Sequence, residues 1–155
     1  LSGNTMKRAL RFSKYVAKRS DYCDLPKKET EIFVVNRIGE LGLWYKLAFI
    51  SFIGNSLNFK EIKTGKNPFE ALQANSIVIH GPKMIEPGYE KPASLGISDI
   101  VENRNDISSA VVKYSVASHR KEKIKRGQDL IKGNKAITKN LIAYISDIYK
   151  KRELN

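Results

Sequence analysis

The chain has 155 residues, 41% of them apolar and 28% charged, with a mean hydropathy of −0.39. This is the composition of a folded globular protein rather than a disordered tail, and the length suits one domain with a real core. The single cysteine, Cys23, excludes an internal disulfide framework and a cysteine-rich zinc site. No run of about 18 apolar residues offers to cross a bilayer, and the first residues do not read as a signal peptide.

Lys and Arg number 28 against 16 Asp and Glu, for a net charge of +12. Residues 1–28 hold eight of these cations against two acids, and residues 113–152 hold twelve against three. Residues 29–112 hold eight against ten. A neutral middle with two basic ends is the footprint of a protein that meets a polyanion. Nucleic acid ranks first, an acidic protein second and an anionic membrane third.

In chain order, Thr5 is placed to cap a helix running to about Arg19. Met6, Ala9, Leu10, Val16 and Ala17 lie at roughly helical spacing, with Lys7, Arg8, Arg11, Lys14, Lys18 and Arg19 on the other faces. Asp24-Leu25-Pro26 reads as a second helix start, with Glu29 and Glu31 near its positive end. Ile32, Val35 and Ile38 suit a helix that ends near Gly39 and Gly42, and residues 43–52 fit either a buried strand or more helix. Gly54-Asn55-Ser56 resembles a hairpin turn, followed by an alternating strand over 57–63. Residues 69–74 suit a short helix, and SIVIH at 76–80 is the cleanest buried strand.

Three of the five prolines fall in residues 81–96, which predicts a long functional or mobile loop. Everything beyond Ile97 reads as helical: a short piece to about Asn103, a longer one from Asp106 to about Arg126, and a last one from Asn134. That last helix carries the stripe Ile137, Leu141, Ile145 and Ile148, with Lys150, Lys151 and Arg152 at its end. The expected architecture is a single helix-rich α+β domain, with a small central antiparallel or mixed sheet flanked by N- and C-terminal helices. Its parts are a basic helical lead (1–26), a mixed core (27–96) that includes the loop 81–96, and a basic helical region (97–155).

Three constellations offer chemistry. In residues 111–128, VVKYSVASHRKEKIKRGQ, an apolar segment delivers His119 into a basic run. Metal-independent RNA cleavage needs a base for the 2′-hydroxyl, an acid for the leaving oxygen and cations for the phosphorane. Histidine serves both proton roles near neutral pH. The candidate catalytic set is His119, His80, Tyr114 and Lys83, with no cofactor. Arg120, Lys121, Lys123, Lys125 and Arg126 would bind phosphate, joined by Arg11 and Lys14. The plainer reading makes each histidine structural and the lysines a solvated helix end. The sequence leaves open whether the two histidines share a site.

The second constellation is residues 58–65, NFKEIKTG, which resembles the E-x-K half of the PD-(D/E)XK nuclease core. That resemblance implies Mg²⁺ held by Glu61 and an earlier acid, with Lys63 orienting the attacking water. The chain departs from the pattern, because no aspartate lies between Asp24 and Asp99. The position expected for the acid falls near Ser51, and Glu40 is the available substitute. An exposed Glu/Lys pair at a strand end is the plainer reading. The third constellation is binding without catalysis, with Tyr15, Tyr22, Tyr114, Tyr144 and Tyr149 among the cations as stacking platforms. An adaptor that binds an acidic protein is a separate class, which predicts no nucleic-acid affinity near physiological salt.

As a whole, the layout is similar to the C-terminal toxin regions of contact-dependent growth inhibition effectors. It begins LSGNTMKRAL without an initiator methionine, continues as a basic lead and an α+β body, and ends KKRELN. The family's boundary tetrapeptide is not in the chain. The resemblance implies a nuclease toxin secreted from the producing bacterium and acting in the cytoplasm of a target cell, with tRNA or DNA as substrate. It also implies an acidic cognate immunity protein and, for some members, elongation factor Tu as a partner; no membrane partner is expected. The function expected from the sequence is therefore metal-independent cleavage of RNA, tRNA foremost. The alternatives are a Mg²⁺-dependent DNase using Glu61 and Lys63, or a basic nucleic-acid-binding module.

Overall fold

The computed structural model describes residues 2–19, 25–57 and 65–153. Among them the protein is helix-rich α+β, with six helices and five short strands. The chain clusters into two compact units, Leu1–Leu41 and Gly42–Asn155, which are taken in turn.

The first unit contains helix α1 (Ser2–Ala9) and strands β1 (Val16–Lys18) and β2 (Ile32–Val34). The helix expected to reach Arg19 stops at Ala9. Phe12 N donates to Ala9 O at 2.9 Å, and the Ser13 hydroxyl accepts Tyr15 N at 2.9 Å while donating to Glu31 at 2.6 Å. Val16, Ala17 and Lys18 then pair in parallel with Ile32, Phe33 and Val34. A sparse helical pattern yields here to β-branched residues that find a long-range partner. Residues 25–31 are not helical: Thr30 N donates to Lys27 O and its hydroxyl accepts Lys27 N, both at 3.0 Å. Such local hydroxyl bonding competes with a helix start. Arg19 is 9% exposed and donates through Nε and Nη2 to the two Glu40 oxygens, each at 3.1 Å.

The second unit opens with α2 (Leu41–Leu47) and β3 (Ile50–Ile53), so residues 43–53 are helix first and strand after. There follow α3 (Phe69–Gln73), β4 (Ile77–His80), α4 (Lys91–Ser94), β5 (Asp99–Ile100), α5 (Arg104–Ser115) and α6 (Ala117–Glu153). The sheet runs β3-β4-β5 and both pairs are parallel. This corrects the expected antiparallel or mixed sheet. Gly54-Asn55-Ser56 does not fold a hairpin; it leads the chain out of β3, and α3 brings it back so that β4 enters in the same direction. Parallel strands require such crossovers. The strand expected over 57–63 lies outside the described residues from 58 onward, as does Cys23.

β4 is buried along its whole length, as the central strand of a parallel sheet is. Its faces alternate. Val78 packs with Ile53, Ala71, Leu72, Met84, Ile97 and Ile131 on one side, and Ile77 and Ile79 with Val101, Ala110 and Tyr114 on the other. Gly127 of α6 faces the first side, where an added Cβ would make ordinary contact with Ile97 and Leu72 at 3.5 Å. The helix expected over 106–126 is broken at Val116 (φ −79°, ψ 121°), whereas no break separates 126 from 134.

Candidate functional site

Three parallel strands give the second unit two unlike edges. Where β5 begins, α5 ends and α6 starts, a cleft of ≈ 320 Å³ is lined by Gly96, Lys113, Tyr114, His119, Glu122, Lys123 and Arg126. This is the amino edge of the sheet. At its centre is Asp99, whose Oδ1 accepts from the Lys123 ammonium and whose Oδ2 accepts from the Tyr114 hydroxyl. The Lys113 ammonium stands 3.6 Å from Oδ2. Burial pushes the Asp99 carboxyl up, but hydrogen bonds from Lys123 and Tyr114 and the charges of Lys123 and Lys113 outweigh it, so its pKa lies below 3.8. Burial, then the bond to Asp99 and its charge, hold the Tyr114 hydroxyl well above the usual tyrosine value. The phenol therefore stays protonated and donates to Asp99.

The cations facing this cleft are largely matched by acids. Lys123 and Lys113 serve Asp99, and Arg126 pairs with Glu122 at 2.9 Å. Arg120 donates to Ser115 O at 2.9 Å, tying down the end of α5, and its guanidinium lies 5.3 Å from the Phe49 ring centre. His119 is exposed and its Nδ1 donates to Lys113 O at 2.8 Å. Lys121 and Lys125 are exposed on α6 and do not line the cleft. Arg11 and Lys14 are exposed in the first unit, Lys14 with its ammonium 5.3 Å from the Tyr15 ring centre.

His80 does not line this cleft. It ends β4 at 1% exposure, with both ring nitrogens engaged. Nδ1 donates to Gly81 O at 2.7 Å, which leaves Nε2 to accept from the Ser98 hydroxyl at 3.0 Å. The two histidines are not brought together. Glu61 and Lys63 lie outside the described residues. Ser51, where the metal-binding acid was expected, is buried and bonded to the Ser76 hydroxyl at 2.7 Å. Glu40 serves Arg19 and, at 3.5 Å, Arg37. Among the described residues no three His, Cys, Asp or Glu side chains gather as a metal site would need.

The opposite, carboxyl edge is built from the loops that leave β3 and β4, and Ser56 is its hub. The Ser56 hydroxyl donates to Ile53 O at 2.5 Å and accepts Gly81 N at 2.8 Å, while Ser56 O accepts Lys83 N at 2.8 Å. Lys83 O accepts Gly65 N at 2.7 Å, and Gly54 O accepts Lys66 N at 3.2 Å. Gly81 sits so close that an added Cβ would lie 2.2 Å from Ser56 O. Gly54, Asn55, Lys66 and Pro82 are exposed on this edge, and at Gly54 an added Cβ would meet no atom within 4 Å. The N-terminus of α5 also reaches this edge, where a reciprocal cap between Asn103 and Asp106 occupies its first donors.

Sequence reasoning missed Asp99, because Ile97–Asn103 reads as helical when a two-residue strand has no visible period. The signal that could have found it is Asn103-x-x-Asp106. That spacing marks a helix start and leaves 97–102 outside the helix. Gly81 and Gly65 were also passed over, since a close backbone approach across two loops leaves no local signature.

The fold and site define a parallel-sheet unit with glycine-bound loops on its carboxyl edge, the edge at which open α/β sheets take their ligands. No protein-family model matches the chain, and no solved structure matches it. Curated proteins do. The 3-deoxy-D-manno-octulosonic acid transferase of Rickettsia bellii is 30% identical over 131 residues, covering 84% of this chain and 23% of that protein. The transferases of the same name from Rickettsia typhi and Rickettsia felis are 32% and 33% identical over 114 and 108 residues. The chain spans less than a quarter of the length of these relatives.

These similarities overturn the toxin reading. The matching proteins are named as transferases of a sugar acid, not as nucleases or growth-inhibition effectors. With that reading go the tRNA substrate, the immunity protein, elongation factor Tu and delivery into a target cell. The earlier resemblance was one of layout and charge, which unrelated basic proteins share. The relatives are enzymes by name, of a different class.

Proposed function

We propose that the chain forms part of a glycosyltransferase acting on 3-deoxy-D-manno-octulosonic acid, and that the carboxyl edge of its three-stranded sheet faces the ligand. One observation carries this reading: 84% of the chain is shared, at 30% identity, with a transferase of that name. Glycosyl transfer breaks the bond from the anomeric carbon to a leaving group and makes one to an acceptor oxygen. The protein's task is to hold the sugar and stabilise charge on the departing group. An octulosonic acid also carries a carboxylate, which a cation and backbone N–H groups can hold. The exposed Lys66 and the turn at Gly54 and Asn55 supply groups of that kind, on loops fixed by the Ser56 bonds. In this reading the amino-edge cluster around Asp99 is structural.

The test is a graft. The 131-residue matching stretch of the Rickettsia bellii transferase is replaced by this chain, and transfer of the sugar acid is measured. A folded graft that transfers the sugar above the level of a deletion supports the reading. A folded graft with no transfer contradicts it.

A further inference from the structure

The 37-residue helix α6 leaves the body of the second unit partway along its length. Among its described side chains Ile131 is the last buried one, and residues 135–146 are exposed throughout. That exposed half is not a solvated polar helix. At about 100° per residue, Ile131, Ile137, Leu141, Ile142, Tyr144 and Ile145 fall within one arc about 160° wide, with Asn134 and Thr138 inside it. Ile137 is 67% exposed, Ile142 60% and Tyr144 65%. An apolar face of this breadth on a helix needs a partner. Its root opens into an apolar groove of ≈ 440 Å³ between α3 and α6, lined by Phe69, Ile131 and Ile142 together with Lys135 and Lys139.

The charges on the helix indicate what kind of partner fits. Residues 131–146 contain three lysines and no acid, in a chain that holds 16 acids. On the helical wheel Lys132, Lys135 and Lys139 all flank the same side of the apolar arc, next to Ile131 and Ile142. A basic polar flank against a broad apolar face is the pattern of a helix lying in the plane of an anionic bilayer. No helix among the described residues is long and apolar enough to cross a membrane, so α6 would lie along one. We propose that the distal half of α6 docks on an anionic lipid surface. The apolar arc enters the headgroup boundary, the three lysines meet lipid phosphates, and the groove beside Phe69 takes an acyl chain. The proposal rests on the face of α6 itself and does not depend on the transferase reading.

Co-sedimentation of the full chain with vesicles tests it, using phosphatidylglycerol mixed with phosphatidylcholine against phosphatidylcholine alone. Binding to the anionic vesicles is expected to exceed binding to the neutral ones at least tenfold and to fall as salt is raised. Ile137→Gln with Leu141→Gln removes apolar contact without adding charge. It should weaken binding about tenfold, while circular dichroism shows the helix intact. Lys132→Gln, Lys135→Gln and Lys139→Gln together should flatten the salt dependence. Three outcomes would overturn the proposal. One is no preference for anionic vesicles, and another is undiminished binding by the double variant Ile137→Gln with Leu141→Gln. The third is an α6-dependent dimer in light scattering without vesicle binding, which would make a second copy the occupant.

Discussion

The two edges of the three-stranded sheet are made by opposite means. The amino edge is an ionic knot, in which Asp99 gathers Tyr114, Lys123 and Lys113 and binds α5 and α6 to the start of β5. The described part of the carboxyl edge is fixed by backbone. Ser56, Gly65, Gly81 and Lys83 exchange main-chain and hydroxyl bonds, and their glycines allow loops to touch where a side chain would not fit. Basic residues near a histidine drew attention to the first edge, yet three of its cations share two of its own acids. The second edge presents exposed groups on loops held by backbone bonds, and it is there that we propose the ligand binds. A dense basic run therefore locates a structural counter-ion cluster as readily as a binding site.

The sharpest way to separate the edges is to fill the space at Gly81. Gly81→Ala places a Cβ 2.2 Å from Ser56 O, so the two loops must part. Loss of about 3 kcal/mol in urea unfolding is expected, since overpacking of this kind forces backbone shifts. A near-neutral result would mean that the loops are not in contact.

Next in size is His80→Ala, expected to cost about 3 kcal/mol through a cavity and two lost hydrogen bonds at a fully buried site. The same change at the exposed His119 should stay within about 0.5 kcal/mol. Similar losses at the two histidines would break the distinction between them.

The amino edge is probed by Asp99→Asn, which leaves Lys123, 15% exposed, without its counter-charge. A loss of about 2 kcal/mol near neutral pH is expected, below that of a fully buried pair because Asp99 remains 29% exposed. The pH dependence has a definite sign. The Asp99 carboxyl titrates below its ordinary value of 3.8 in the folded protein, so its contribution is present above that pH and is lost as pH falls through the folded value. The stability gap between parent and Asp99→Asn should therefore hold from neutrality to about pH 4 and close below it. A gap that widens on acidification would contradict the arrangement.

The class of fold was legible in the sequence, and so was its central strand: the run Ile77-Val78-Ile79 within SIVIH is apolar because both of its faces are covered. The short helix from Phe69 was legible too. Strand direction was not. Gly54-Asn55-Ser56 has the composition of a hairpin turn, and only the return of the chain through α3 reveals the parallel pairing. β1 and β5, with three and two residues, are too short to show a period of two, so each was absorbed into a neighbouring helical pattern. The basic run at 119–126 was visible, but Asp99 lies about twenty residues upstream and joins it through folding alone. The partner of a charge is a tertiary fact.

We propose that the ligand meets the carboxyl edge of the sheet and not the amino edge. In the transferase graft, Lys66→Ala, a change at an exposed residue, is compared with His119→Ala for sugar-acid transfer at matched stability. The expected result is a fall of about tenfold in kcat/KM for Lys66→Ala, the size of one lost charge-assisted contact of about 1.4 kcal/mol, with His119→Ala unchanged. Loss of transfer on changing His119, with Lys66→Ala silent, would place the ligand at the ionic knot and contradict the account.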